Sequence, residues 1–219
     1  MSKNKARDER AAELARIRAA QATAERRRRV VITSAVVVVV VGLVAVAGGI
    51  ILQASRHDAA VQAAAASPIP GVATETGLPA QHIAALPEPT PSTSGGTLLP
   101  PMGGDHDPVP QNCGVYTVPV ATSNAVHSLE HGAVWITYQP GLEPSQVNTL
   151  TKLVEGNPYV LLSPFTDLRA PIVLTAWGVQ LEVDNASDPR VEEFLVKYVQ
   201  GPQTPEPGAP CSGGVGTPA

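Results

Sequence analysis

The chain has 219 residues, 43% of them hydrophobic and 4% aromatic, with two cysteines and a formal net charge of −4. That charge averages two opposite parts: residues 1–29 carry ten basic and four acidic residues, a net of +6, and the remainder carries five and fifteen, a net of −10. An evenly charged surface is thereby excluded, and two cysteines without a Cys-x-x-Cys spacing exclude thiol oxidoreductase chemistry.

In chain order, the first 29 residues are rich in Arg, Ala and Glu and are expected to form a solvated helix beside an anionic membrane surface. From Val30 to Leu52 run 23 residues without a charge, dominated by Val, Ile, Leu, Ala and Gly. At 1.5 Å per residue a helix of that length reaches about 34 Å, enough to cross a hydrocarbon core of roughly 30 Å. Residues 30–54 are therefore expected to be a transmembrane helix, with the lipid bilayer as the chain's first partner. Arg26, Arg27, Arg28 and Arg29 abut its start, whereas Arg56 alone follows its end, so the positive-inside rule predicts a cytoplasmic N-terminus. A cleaved signal peptide wants a shorter apolar region, of about 7–15 residues. The basic run beside a membrane span is read as a topology signal, and no nucleic-acid partner is expected.

Residues 55–97 begin Ala-rich and become rich in Pro, Gly, Ser and Thr, without hydrophobic periodicity. Such a stretch is expected to be a mobile spacer. Residues 98–211 are long enough for one modest core, and residues 212–219 read as a flexible tail. Within the domain, residues 114–120 and 133–138 read as strands. A helix is expected to open at Glu143-Pro144-Ser145 and run to Glu155, with Val147, Leu150, Leu153 and Val154 on one face. Residues 159–162 form a short strand, and 172–183 a longer one, kinked or bulged at Trp177-Gly178. Asp188-Pro189 starts a last helix ending near Val199, with Asp at the N-cap and Pro at N1. The fold class is α+β: one transmembrane helix, then a small extracytoplasmic domain of a sheet with helices on one face. Strand order cannot be read from this pattern.

Cys113 precedes the first strand and Cys211 follows the last helix. In an extracytoplasmic domain such a pair reads as a disulfide that pins the tail to the fold. Closing a loop of about 100 residues is worth on the order of 4–5 kcal/mol in the chain-entropy model.

The five histidines are His57, His82, His106, His127 and His131. His57 follows the apolar segment and has no evident role. The run His127-Ser128-Leu129-Glu130-His131 puts two imidazoles and a carboxylate at i, i+3 and i+4, on one face if the run is a helical turn. It matches the His-x-x-Glu-His string of inverted zinc peptidases, but that chemistry needs a long helix, and here Gly132 and a strand follow at once. A site without hydrolysis is the better reading: His106, His127 and His131, with Glu130 or His82 as further ligands. Three imidazoles suit zinc or copper(II), and Met102 would add softness for copper(I). Against this stands the reading in which the histidines only hydrogen-bond loop backbone.

The string Val126-His127-Ser128-Leu129-Glu130-His131-Gly132-Ala133-Val134 resembles the signature of the domain of unknown function 3105 (DUF3105) family of membrane-anchored bacterial proteins. The family's Pro-Pro-x-x-Gly-x-His is matched by Pro100-Pro101-Met102-Gly103-Gly104-Asp105-His106, its Ala-Trp-Gly by Ala176-Trp177-Gly178, and a further upstream His by His82. The loop departs from the family's usual Ser-Gly-Pro-His at Gly103-Gly104-Asp105-His106. The resemblance brings no established activity, but it implies a shared metal or ligand site at these histidines. The expected function is thus a membrane-anchored envelope protein whose external domain binds a transition metal, or a partner envelope or membrane protein, at a His-lined surface. An assembly factor without metal is the alternative, and a metal-dependent hydrolase the third.

Overall fold

A computed structural model describes residues 2–84, 86–88 and 98–219. Residues 85 and 89–97, which belong to the expected spacer, lie outside the described residues. The chain divides into two units, Met1–His57 and Asp58–Ala219.

The first unit is helical, part of α1 (Ser2–Ala65). Within α1, Thr23–Ala65 is long and apolar enough to cross a membrane. Leu43, Val44, Ile50 and Ile51 are all exposed there, as a helix must be whose apolar side chains meet no protein core. The helix does not stop at the apolar stretch. Ala, the best helix former, carries it through the start of the expected spacer.

The second unit is built on a six-stranded mixed sheet. Its strands are β1 (Ala73–Thr74), β2 (Gly114–Val115), β3 (Val134–Tyr138), β4 (Val160–Pro164), β5 (Ile172–Ala176) and β6 (Val179–Val183), in the order β1-β6-β5-β3-β4-β2. β3 and β2 both pair parallel to β4, and the remaining pairs are antiparallel. The helices are α2 (Thr122–Glu130), α3 (Pro144–Val154) and α4 (Pro189–Tyr198).

The strands read as near-continuous apolar runs because both faces of the sheet are covered. Val134, Ile136, Leu162, Ile172 and Leu174 face one core with Leu150 of α3 and Phe194 of α4. Trp135, Leu161 and Val173, at the alternate positions, face a second core with Ala125, Val126 and Leu129 of α2. The expectation of helices on one face is thus corrected: α3 and α4 cover one side and α2 the other. The signal for α2 was hidden in a sequence that looked long enough for a single turn only.

Four further expectations change. The long strand over 172–183 is a hairpin, β5 and β6 joined at Trp177-Gly178, with Ala176 opposite Val179. Gly178 makes the turn, at φ +69°. The strand over 114–120 shortens to β2, with the Tyr116 N–H making the last bond to β4, at the Leu162 carbonyl, 2.8 Å away. Residues 65–83 are not a free spacer: Ala65 is buried, Ile69 joins the core, and β1 extends the sheet along β6. The tail after Cys211 is also bonded to the fold, with Val215 bridged to Gln111 and the Ala219 N–H donating to the Val115 carbonyl at 2.8 Å.

Candidate metal centre

α2 begins at Thr122 without a side-chain cap from its own N-cap residue, Ala121. Instead the carboxylate of Glu88, far upstream, accepts from the Thr122 N–H at 2.9 and 3.1 Å. The helix buries Ala125, Val126 and Leu129 against the sheet, and this orientation fixes where its polar residues point. His127 and Glu130 lie on its last turn, and His131 is the C-cap. All three are at least nine-tenths buried.

The loop at Gly103-Gly104 brings His106 to the same place. Gly104 has φ +110°, which turns its carbonyl onto the His106 ring, and His106 is fully buried. His82 arrives on the segment after β1, through a parallel bridge with His106: the Ile83 N–H donates to the His106 carbonyl at 2.7 Å and the His106 N–H to that of Gln81 at 3.0 Å. One donor atom from each of His82, His106, His127 and Glu130 lies within 4.8 Å of every other. The sequence put His131 in the central set and held Glu130 and His82 as additions. The geometry reverses that emphasis, setting His131 beside the four, with its Nε2 3.0 Å from that of His127.

The hydrogen bonds decide which nitrogen of three rings carries the proton. His106 Nδ1–H donates to the Gly104 carbonyl at 2.7 Å, His127 Nδ1–H to that of Asp107 at 2.6 Å, and His131 Nδ1–H to that of Pro210 at 2.8 Å. A carbonyl only accepts, so in the neutral ring each Nε2 is a bare lone pair. Those lone pairs are aimed at other acceptors. His127 Nε2 meets His131 Nε2 at 3.0 Å, and His106 Nε2 meets Glu130 Oε2 at 3.0 Å. The first contact needs a proton or a cation between its two nitrogens, and the second is an ion pair when His106 carries a second proton. Burial pushes the His127 pKa down from its usual value, against the opposing pull of the Asp107 carbonyl, so a proton is a poor candidate for that charge on this ring. A cation between the rings removes the conflict. Nitrogen ligands about 2.0–2.1 Å from a metal stand about 2.9–3.4 Å apart, depending on the angle between them, and the contacts here fall in that span.

The donors of the cluster are nitrogen and oxygen, since both cysteines are joined in a disulfide, Cys113–Cys211, 98 residues apart in sequence. Glu130 Oε2 faces His106, and His82 Nε2 at 3.3 Å. The carboxylate is thus a member of the cluster rather than a base standing outside it, unlike the role of the Glu in the peptidase string. His57 lies in α1, at the end of the first unit.

Several contributors were not assigned to the site from the sequence, Trp177 among them although its Ala-Trp-Gly string was noted. Trp177 lies edge-on to His106, with ring centroids 5.9 Å apart. Glu206 places Oε2 3.7 Å from His131 Nε2, and its N–H donates to the Glu130 carbonyl at 3.0 Å. The carbonyls of Asp107 and Pro210 orient rings by backbone, which any residue supplies. The position of Glu206 depends on the disulfide-bound segment before Cys211.

The α+β domain, covered by helices on both faces of its sheet, thus carries a largely buried cluster of imidazoles and one carboxylate. Residues 97–213 match the family described as protein of unknown function (DUF3105), and the chain belongs to that family. No curated protein and no solved structure matches the chain.

Proposed function

We propose that this is a membrane-anchored cell-envelope protein whose α+β domain lies outside the cytoplasm and holds a divalent transition metal, zinc or copper(II), at His82, His106, His127, His131 and Glu130. The observation that supports the metal reading is the convergence of ring nitrogens and one carboxylate, with His127 Nε2 to His131 Nε2 and His106 Nε2 to Glu130 Oε2 each at 3.0 Å and every Nδ1 of these three rings committed to a carbonyl. Carbonyl-held imidazoles with inward Nε2 atoms are the outer-shell pattern that orients metal ligands. Nitrogen and oxygen donors without thiolate favour zinc or copper(II) over copper(I). The anchor and its direction rest on the apolar span in α1 and on Arg26 to Arg29 before it. A disulfide in the domain agrees with an oxidising compartment.

The test of the metal reading is calorimetric titration of zinc and copper(II) into the full chain in detergent micelles, beside a His127→Ala, His131→Ala variant. The expected outcome is binding tighter than about 10 μM at neutral pH, roughly −7 kcal/mol, lost in the double variant. Weaker binding by the unmodified chain to both ions would return the histidines to loop architecture and bring forward the partner-binding reading.

A further inference from the structure

The five side chains of the cluster are not held alike. His106, His127 and His131 each have one ring nitrogen bonded to a carbonyl, and their side chains are shut from solvent. Glu130 is equally buried, with its Oε2 between His106 and His82. His82 is the exception. Its side chain is 44% exposed, against 5% for Glu130 and 0% for His106. Among the described residues no carbonyl holds its Nδ1, and its hydrogen bond is the 3.3 Å contact of Nε2 with Glu130. Its ring stacks on that of His127, centroids 4.7 Å apart and planes within 17°, and meets that of His106 edge-on at 4.8 Å, ring contacts without a hydrogen bond to fix its rotamer. It also stands outside residues 97–213, which contain the other four.

We propose, building on the metal reading, that His82 occupies an exchangeable coordination position facing solvent, and that an external monodentate base takes this position when His82 leaves. The ligand class is an imidazole, a carboxylate or a small anion. The argument is one of pre-organisation. A ring fixed by a carbonyl loses little freedom when it ligates, whereas an exposed, unfixed ring loses its rotamer freedom at each binding event. Of the five side chains, His82 is therefore the first to let go. What remains is His106, His127, Glu130 and the adjacent His131, a buried set that keeps the ion while one position opens. An ion held by protein ligands with one place open is the arrangement that admits outside molecules to a metal. The exchange breaks one coordinate bond as it forms another, and no electron changes hands.

Cobalt(II) absorption in the visible reports this directly. The full chain in micelles, His82→Gly, His82→Ala and His127→Gly are each loaded with cobalt(II) and then titrated with free imidazole. Both His82 variants are expected to keep cobalt(II) with affinity lowered about tenfold, a loss of one ligand of several. Imidazole should then restore the absorption of the unmodified chain along a saturable curve. His127→Gly should lose the ion, with no recovery on adding imidazole, because that position is buried. Recovery by imidazole is a readout that a purely structural role for His82 would not produce. If the His82 variants match the unmodified chain and ignore imidazole, His82 is not a ligand and the proposal falls. If they lose cobalt(II) as fully as His127→Gly and imidazole does not restore it, His82 is a fixed ligand and the exchange is refuted. An unmodified chain that binds no cobalt(II), zinc or copper(II) overturns the metal reading as well, a result distinct from the other two.

Discussion

A Cβ added at Gly178 would stand 2.7 Å from the carbonyl oxygen of Glu75, on a residue whose φ of +69° already disfavours a side chain. The same glycine accepts the Glu75 N–H at 2.8 Å, so one residue both turns the β5–β6 hairpin and receives the chain leaving β1. Gly178→Ala is expected to cost about 2 kcal/mol or more, from the left-handed backbone of an L-residue together with the contact. Denaturant unfolding measures the loss, and faster amide exchange at Glu75 should accompany it; an unchanged midpoint would contradict the assignment. The glycine was legible as a break, but whether it kinks a strand or reverses it depends on the partner strand, which local sequence does not contain. The cluster shows the same division. His127, Glu130 and His131 were legible because their spacing has a helical meaning, whereas the carbonyls of Gly104, Asp107 and Pro210 were not, since every residue carries one.

α4 is the element whose limits the sequence marked best, because its signals are its own. Asp188 accepts the Arg190 N–H at 3.0 Å and Pro189 occupies the first turn, as the Asp-Pro pair predicts. Asp188→Ala is expected to lower stability at neutral pH by about 1 kcal/mol. The Arg190 guanidinium beside Asp188 holds its carboxyl below the usual carboxylate range, with the backbone N–H adding to the effect. A depressed folded-state pKa contributes stability above the unfolded value, near 4, and loses it as pH falls through the folded one. The gap between the two proteins should therefore narrow in unfolding curves taken from pH 7 down to pH 3; a gap that widened toward acid would contradict the cap. α2 was harder to read for the opposite reason. Its first N–H is met by Glu88, from a segment that carries no helix signal and lies 34 residues away.

At the scale of the whole molecule, the charge division and the apolar span were legible because they depend on composition, while sheet order was not, because β3, β4 and β2 pair across long sequence separations. The charge division yields a test. A reporter enzyme that works only outside the cytoplasm, fused after Ala219, is expected to be active, and a stable but silent fusion would reverse the proposed orientation. Cys113–Cys211 ties the last part of the domain to the residue that precedes β2. The segment so tied bears the Gln200 side chain on the His131 carbonyl, the Glu206 N–H on the Glu130 carbonyl and the Pro210 carbonyl on the His131 ring. Every histidine of the cluster is made before any of these supports. A ribosome-bound chain that has released His131 but not yet residues 200–211 lacks the Pro210 carbonyl that aims that ring. The His131 end of the cluster is thus complete only once the closing segment has emerged and folded back.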